Sequence, residues 1–268
     1  MNTLKQSLGS RLTAALALCL AFATSSLVNA QDASLETLRV CTHPAAGFFV
    51  RDTNGASSGL EYDLLSSFAA ANRMNVVFEH MPLFADLLRD TESGRCQIGS
   101  SSVTVTPERQ ARFAFSNPYF PNRVVVVQKT TSGFATAQDV KDKRVAVVKG
   151  TLSTSLVAAI PGAVSHVVDD DDAAFQALLK GEADALACDS AMVLHYLTLH
   201  PELSIAFPIG ERSFFAFALP KGSKLVGPLN DHLKSLAKSG AFTKMLAKHF
   251  GADNADLLAE DVAKASAK

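Results

Sequence analysis

Three short β-prone runs, residues 38–42, 75–79 and 97–103, are separated by stretches that each read as an amphipathic helix. Helix 61–72 carries Leu64, Leu65, Phe68 and Ala69 on one face. Helix 84–91 turns Leu87 and Leu88 inward, and Ser93-Gly94-Arg95 stops it. Strand, helix, strand, helix, strand specifies a parallel, doubly wound sheet. Its crossovers are right-handed, and ligands collect at the carboxyl ends of its strands.

The third run ends in Ser100-Ser101-Ser102-Val103-Thr104-Val105-Thr106-Pro107-Glu108-Arg109. Hydroxyls crowd that strand end, and a helix start follows. Thr106 suits the N-cap, Pro107 the first helical position, and Glu108 the positive end of the helix dipole. Arg109 falls in the first turn. Hydroxyls, free backbone N–H groups and a guanidinium are all donors, so together they suit an anion, and a carboxylate matches the arginine fork best. Taken alone, T-P-E-R is equally the signature of a capped helix with a solvated arginine.

The alternation then restarts. Strands are expected at 123–128, 143–148 and 164–168, with a helix opened by Gly150-Thr151-Leu152-Ser153 and running to residue 159. Asp169 to Asp172 precede a helix over 173–179. Consecutive carboxylates at a helix start mostly cap it and favour its dipole, so calcium is not expected there. A strand over 183–188 brings Asp189 to its carboxyl end, before a helix over 191–199. A strand over 213–219, the turn Pro220-Lys221-Gly222, a helix over 228–238 and a short helix carrying Phe242, Met245, Leu246 and Phe250 complete the order. The Ala-, Asp- and Lys-rich residues beyond Gly251 are expected to fray.

The first thirty residues read as a secretory signal peptide. Lys5 and Arg11 are their only charges, 12–23 is an apolar run too short for a comfortable membrane span, and Val28-Asn29-Ala30 is a small-x-small cleavage site. Removing thirty of the 268 residues leaves 238, and removing two basic groups takes the net charge from −1 to −3. That balance argues against nucleic acid, which requires a basic face. Three cysteines remain, Cys41, Cys96 and Cys188, so at least one is unpaired within the chain. Cys41 and Cys96 lie in strand-like stretches of the first half. They form one disulfide, or all three cysteines are buried thiols. No cysteine spacing suggests zinc, and neither G-x-S-x-G nor H-E-x-x-H occurs. The sequence therefore calls for no cofactor, no metal and no catalytic residue.

The order of parts resembles a known family. Gly59-Leu60-Glu61-Tyr62-Asp63-Leu64-Leu65, Gly94 with Gln97-Ile98-Gly99, Val105-Thr106-Pro107-Glu108-Arg109, Pro118-Tyr119-Phe120, Gly150-Thr151, Gly181-Glu182-Ala183-Asp184-Ala185, Asp189-Ser190 and Pro220-Lys221-Gly222 fall in sequence. Each is weak alone, but their order and spacing over about 38–251 resemble the bacterial extracellular solute-binding proteins of family 3, the amino-acid receptors of ABC importers.

The resemblance implies an α/β, two-lobed Venus-flytrap fold of the type II periplasmic-binding-protein kind. Lobe 1 would comprise 31–124 and the return segment 214–268, and lobe 2 would comprise 125–213. The chain would cross between lobes near 120–125 and 213–216, and the ligand would sit in the cleft. Arg109 looks like the arginine that holds an amino acid's α-carboxylate, with Ser102 and Thr104 beside it. Asp189 looks like the lobe 2 acid for the ammonium. Phe84 falls where an aromatic often stacks on the ligand, and Thr151 and Ser153 match the lobe 2 helix start. The implied partners are a small-molecule ligand, with an amino acid expected, and an ABC permease in the inner membrane. The protein itself would be a periplasmic monomer.

Two departures stand out. Leu152 replaces the second Thr or Ser of the lobe 2 loop. The loop His43-Pro44-Ala45-Ala46-Gly47-Phe48 lacks the acid and the aromatic of several basic-amino-acid receptors, which points away from Lys or Arg. The absence of an early arginine points away from Glu or Asp. His43 lines the side-chain pocket or is a structural loop histidine. A cyclohexadienyl-dehydratase-like enzyme is disfavoured because Ser190-Ala191-Met192-Val193 offers no carboxylate after Asp189. A lytic transglycosylase is not expected, since no second catalytic domain follows Gly251. A sensor or accessory protein without a transporter is the remaining alternative.

Overall fold

The structure is a computed structural model and describes residues 35–266. The expected signal peptide and its cleavage site lie outside the described residues. Residues 37 onward form one compact unit.

In chain order the elements are β1 (Glu36–Thr42), the small hairpin β2 (Val50–Arg51) and β3 (Ser57–Ser58), α1 (Leu60–Ala71), β4 (Met74–His80), α2 (Phe84–Glu92), β5 (Ile98–Ser100), α3 (Pro107–Arg112), β6 (Phe113–Phe115) and β7 (Phe120–Lys129). A 3-10 turn follows at Ala137–Val140. Then come β8 (Arg144–Val148), α4 (Leu152–Ala158), β9 (Val164–Val168), α5 (Asp171–Lys180), β10 (Ala185–Asp189), α6 (Ser190–Leu199), β11 (Leu203–Phe215) and β12 (Ala218–Pro220). The last elements are α7 (Val226–Lys238), α8 (Ala241–Phe250) and α9 (Ala252–Ser266).

The strands assemble into two five-stranded mixed sheets, in the orders β4-β1-β5-β12-β6 and β11-β7-β10-β8-β9. This is the two-lobed α/β fold that the resemblance implies. In the first sheet β1 and β5 run parallel, and β12 is antiparallel to β5 and β6. In the second, β8 is parallel to β9 and β10, whereas β7 is antiparallel to β10 and β11.

Apolar burial follows the two periodicities. The apolar stripe of α1, with Leu64, Leu65 and Phe68, packs with Leu38, Val40 and Ile98 of the first sheet and with Leu229 and Leu246 of the return helices. On β7, Val125 and Val127 join one core while Val124 and Val126 join another. A strand buried on both faces reads as a continuous apolar run, as Val124 to Val127 does. Gly59, the residue before α1, has φ +124°, and a Cβ there would lie 2.1 Å from the Phe48 carbonyl oxygen. Only glycine fits that approach.

Three sequence expectations need correction. Residues 213–219 are not one strand. The run to Phe215 ends the long β11 of the second sheet, and β12 begins the return into the first. Most of β11 was overlooked because shifts of register between Ile205 and Phe207 and between Ile209 and Ser213 interrupt its alternation. The third strand is shorter than 97–103, and Ser102 leaves extended backbone altogether with φ +51°. Residues 252–266 do not fray: they form α9, with Ala255 and Val262 buried in the core against α8 and β7. Burial of that face stabilises a helix that propensity alone leaves marginal. Among the described residues no helix is long and apolar enough to cross a membrane.

Candidate functional site

The third strand delivers its hydroxyl cluster onto a single buried carboxylate. Glu61 sits on the apolar stripe of α1 and is fully buried. Its Oε2 accepts from the Ser100 hydroxyl at 2.6 Å, and its Oε1 accepts from the Ser102 N–H at 2.6 Å and from the Tyr119 hydroxyl. Burial raises the Glu61 pKa, and the three donors oppose that rise. The carboxylate holds Ser102 in the left-handed region, which a residue with a Cβ otherwise avoids.

Beyond that turn, Thr106 caps α3 as expected, accepting from the Arg109 N–H at 3.2 Å with Pro107 at the first helical position. The Arg109 side chain is buried, at 7 % exposure. Its Nη1 donates to the Thr104 carbonyl at 3.0 Å, and its Nη2 donates to the Gly150 carbonyl at 3.2 Å. The second bond ties the end of the first sheet to the loop between β8 and α4 of the second. The guanidinium carbon lies 5.2 Å from the centre of the Phe84 ring, over its face. Burial lowers the Arg109 pKa and the charge of Asp189 counters it.

Asp189 ends β10, and the Asn122 amide of β7 donates to its Oδ1. Burial pushes the Asp189 carboxyl up to about 6, against the pull of Asn122 and Arg109. Thr151 stands at the N-cap position of α4, but its hydroxyl does not cap the helix and donates instead to the Val148 carbonyl at 2.7 Å. His43 follows β1, held by the Ser101 hydroxyl, which donates to its carbonyl at 3.0 Å. His43 Nδ1 lies 3.1 Å from the Met81 carbonyl. A carbonyl only accepts, so Nδ1 carries the proton and Nε2 presents a lone pair. Burial lowers the His43 pKa, which keeps the ring neutral.

These groups line one cavity of about 40 Å³. Arg109, Ser102, Thr104, Asp189, Phe84, Thr151 and His43 all line it. Ser153 does not: it is buried one residue further into α4, hydrogen-bonded to the Thr151 hydroxyl at 2.7 Å. Two side-chain atoms of the lining, His43 Nε2 and Ser102 Oγ, are buried and have no hydrogen-bond partner. Buried polar atoms are ordinarily paired, and here two unpaired ones face the same cavity. A larger crevice, about 820 Å³, opens elsewhere between Gln110, Arg212, Lys221 and Lys264. It holds none of the orphaned atoms. Among the described residues no group of three or more His, Cys, Asp or Glu side chains is placed to hold a metal.

Four positions of the candidate site are not found by the reading of the sequence. Glu61 had a signal, since an acid on an apolar helical stripe needs buried partners. Asp171 also had one. Asp170 alone caps α5, accepting from the Ala173 N–H at 2.8 Å, which leaves Asp171 for the cavity wall. Burial, together with Asp189, Asp170 and Asp172, pushes the Asp171 carboxyl up to about 7. Asn122 and Met192 had none. Cys41 and Cys96 are joined in a disulfide behind β1 and β5, and Cys188 is a buried free thiol whose pKa burial raises.

Known proteins share both the sequence pattern and the fold. A probable histidine-binding protein of Neisseria gonorrhoeae is 28 % identical over 213 residues, covering 76 % of this chain and 79 % of that protein. A membrane-bound lytic murein transglycosylase F of Idiomarina loihiensis is 30 % identical over 230 residues, which is 81 % of this chain but only 50 % of that enzyme. The crystal structure of a P235GK mutant of ArgBP from T. maritima superposes with a TM-score of 0.76 at 29 % identity, covering 80 % of this chain and 95 % of that one. The sequence profile of one family matches residues 38–252. The chain belongs to the bacterial extracellular solute-binding proteins, family 3.

Proposed function

We propose that this protein is exported to the periplasm, captures an amino acid between its two lobes, and delivers it to an ABC permease. The observation that carries the reading is the pairing of opposite charges on one cavity. Arg109 comes from the first lobe and is buried, and Asp189 comes from the second and is half-buried. A zwitterion answers both at once. Its carboxylate meets the Arg109 fork, its ammonium meets Asp189, and the ligand itself bridges the lobes. Ser102, Thr104 and Thr151 surround the carboxylate end, Phe84 stacks against the ligand, and His43 reaches toward its side chain.

The cavity size supports capture by closure. About 40 Å³ is on the scale of one or two waters, so an amino acid enters only when the walls part. The lobes take the boundaries 31–124 with 214–268, and 125–213. The hinge lies where β7 and β11 pair Asn122 with Ser213 and Phe120 with Phe215. Closure is driven by the ligand's stronger contacts in the closed form.

The protein acts as a monomer without catalysing a reaction. Resemblance to the transglycosylase spans half of that enzyme, while the histidine-binding relative is covered over most of its length. The test is a thermal-shift screen of the mature protein against the common amino acids, with isothermal titration of any that respond. A ligand at 100 times its Kd adds about 2.7 kcal/mol of stability. A clear shift with one or a few amino acids is the expected result. No response to any of them would overturn the reading.

A further inference from the structure

We infer that the cavity selects an amino acid with a cationic side chain, and that Asp171 is the residue that makes the selection. The inference rests on the proposed function and names the ligand class of the same site. Asp171 lines the cavity from the first turn of α5, opposite the first-lobe wall that carries His43. Its carboxylate takes no hydrogen bond or ion pair from any described residue. Asp170 already caps the helix, so the cap does not account for it.

Charge balance then decides. Around the cavity stand one cation, Arg109, and two acids, Asp189 and Asp171. A neutral zwitterion satisfies Arg109 and Asp189 and leaves the half-buried Asp171 carboxylate on the cavity wall without a counter-charge. A second positive charge on the ligand supplies one. His43 is the independent observation: it is 5 % exposed, and its Nε2 is an acceptor without a donor in the same cavity. Asp171 and His43 Nε2 thus both present acceptors to the cavity, and both call for N–H donors. Leu152, Val148 and Met192 line the cavity as well, giving an apolar wall for an aliphatic stem. The second lobe thus supplies the acid that the loop after β1 lacks.

L-arginine and L-citrulline test this, being nearly equal in shape and different in charge. Titration of the wild type should show arginine bound at least tenfold more tightly than citrulline. In Asp171→Asn that ratio should fall below about threefold, and Asp171→Glu should restore part of it. Asp171→Asn loses a like-charge repulsion with Asp189, so its melting temperature should not drop, which separates a lost preference from a failure to fold. Equal affinity for the two ligands in the wild type, or an unchanged ratio in Asp171→Asn, would overturn the inference. Binding of uncharged amino acids only would also overturn it while leaving the receptor reading in place. Binding of no amino acid would remove both.

Discussion

Glu61 Oε1 accepts a hydrogen bond from the Ser102 N–H at 2.6 Å, across 41 residues of sequence. One end of this bond is a helix that buries its acid, and the other is the turn that shapes the cavity. A carboxylate can accept from Ser100, Ser102 and Tyr119 together. An amide can accept on one side only. Glu61→Gln should therefore destabilise the protein by about 1–3 kcal/mol and weaken ligand binding, because Ser102 loses its anchor. Thermal melts and titration check this, and an unchanged melting temperature would show that the carboxylate does not hold the turn.

Gly59 makes a sharper test of the same region. An alanine there would press its Cβ against the Phe48 carbonyl at 2.1 Å in a backbone conformation that side chains avoid. Gly59→Ala should cost more than about 3 kcal/mol. Gly94, with φ +79° and open space around it, is the control. Gly94→Ala should cost only about 1–2 kcal/mol, the conformational part alone. Similar losses in the two variants would mean that α1 can shift away from Phe48.

Much of the fold was legible because its elements follow simple periods. The runs at 75–79 and 164–168 and the helices after Gly59 and Thr106 are local patterns, and they form where the pattern puts them. What failed was non-local. Nothing near residue 205 signals that β11 passes through bulges to pair with β7, and the polar sequence of α9 hides a face whose partners lie on α8 and β7. The site divides the same way. Arg109 and Asp189 stand at ends of elements and could be found there. Asp171 resembles a helix cap until Asp170 is seen to be the cap.

The Cys41–Cys96 disulfide closes a loop with a sequence separation of 55. In the chain-entropy account a loop of that size is worth about 4 kcal/mol, and native-state relaxation usually lowers the figure. The paired substitution Cys41→Ala and Cys96→Ala should lower stability by about 2–4 kcal/mol, as should reduction by dithiothreitol. Denaturant melts in oxidising and reducing buffer measure it. Coincident curves would mean that the bond adds nothing to stability in solution.

Arg109→Ala should weaken ligand binding by about 100-fold, close to 3 kcal/mol, because a buried carboxylate loses its partner. Arg109→Lys should recover little, since a point charge cannot reproduce the fork that also spans Thr104 and Gly150. A dissociation constant unchanged in Arg109→Ala would remove this residue from the binding site.

Asp189 and Asp171, with carboxyls near 6 and 7, give binding a definite pH sign. Around them stand Asp170, Asp172, Arg109 and a neutral His43. The charged carboxylates are the forms that pair with a cation. Affinity for arginine should be full above about pH 8, decline as Asp171 protonates near 7, and fall by up to about tenfold per pH unit and titrating group below pH 6. Binding near pH 6 should release protons, measurable by calorimetry in buffers of different ionisation enthalpy. The free protein has the opposite trend. Both folded-state pKa values lie above the ordinary carboxyl value, so the native state holds more protons than the unfolded chain between about pH 4 and 7. The pair therefore costs stability as pH rises through that window. Asp171→Asn removes half of the pair. It should be more stable than the wild type by on the order of 1–2 kcal/mol at pH 7.5, and the difference should shrink toward pH 5. Affinity independent of pH between 5.5 and 7.5 would mean that neither carboxylate meets the ligand's charge.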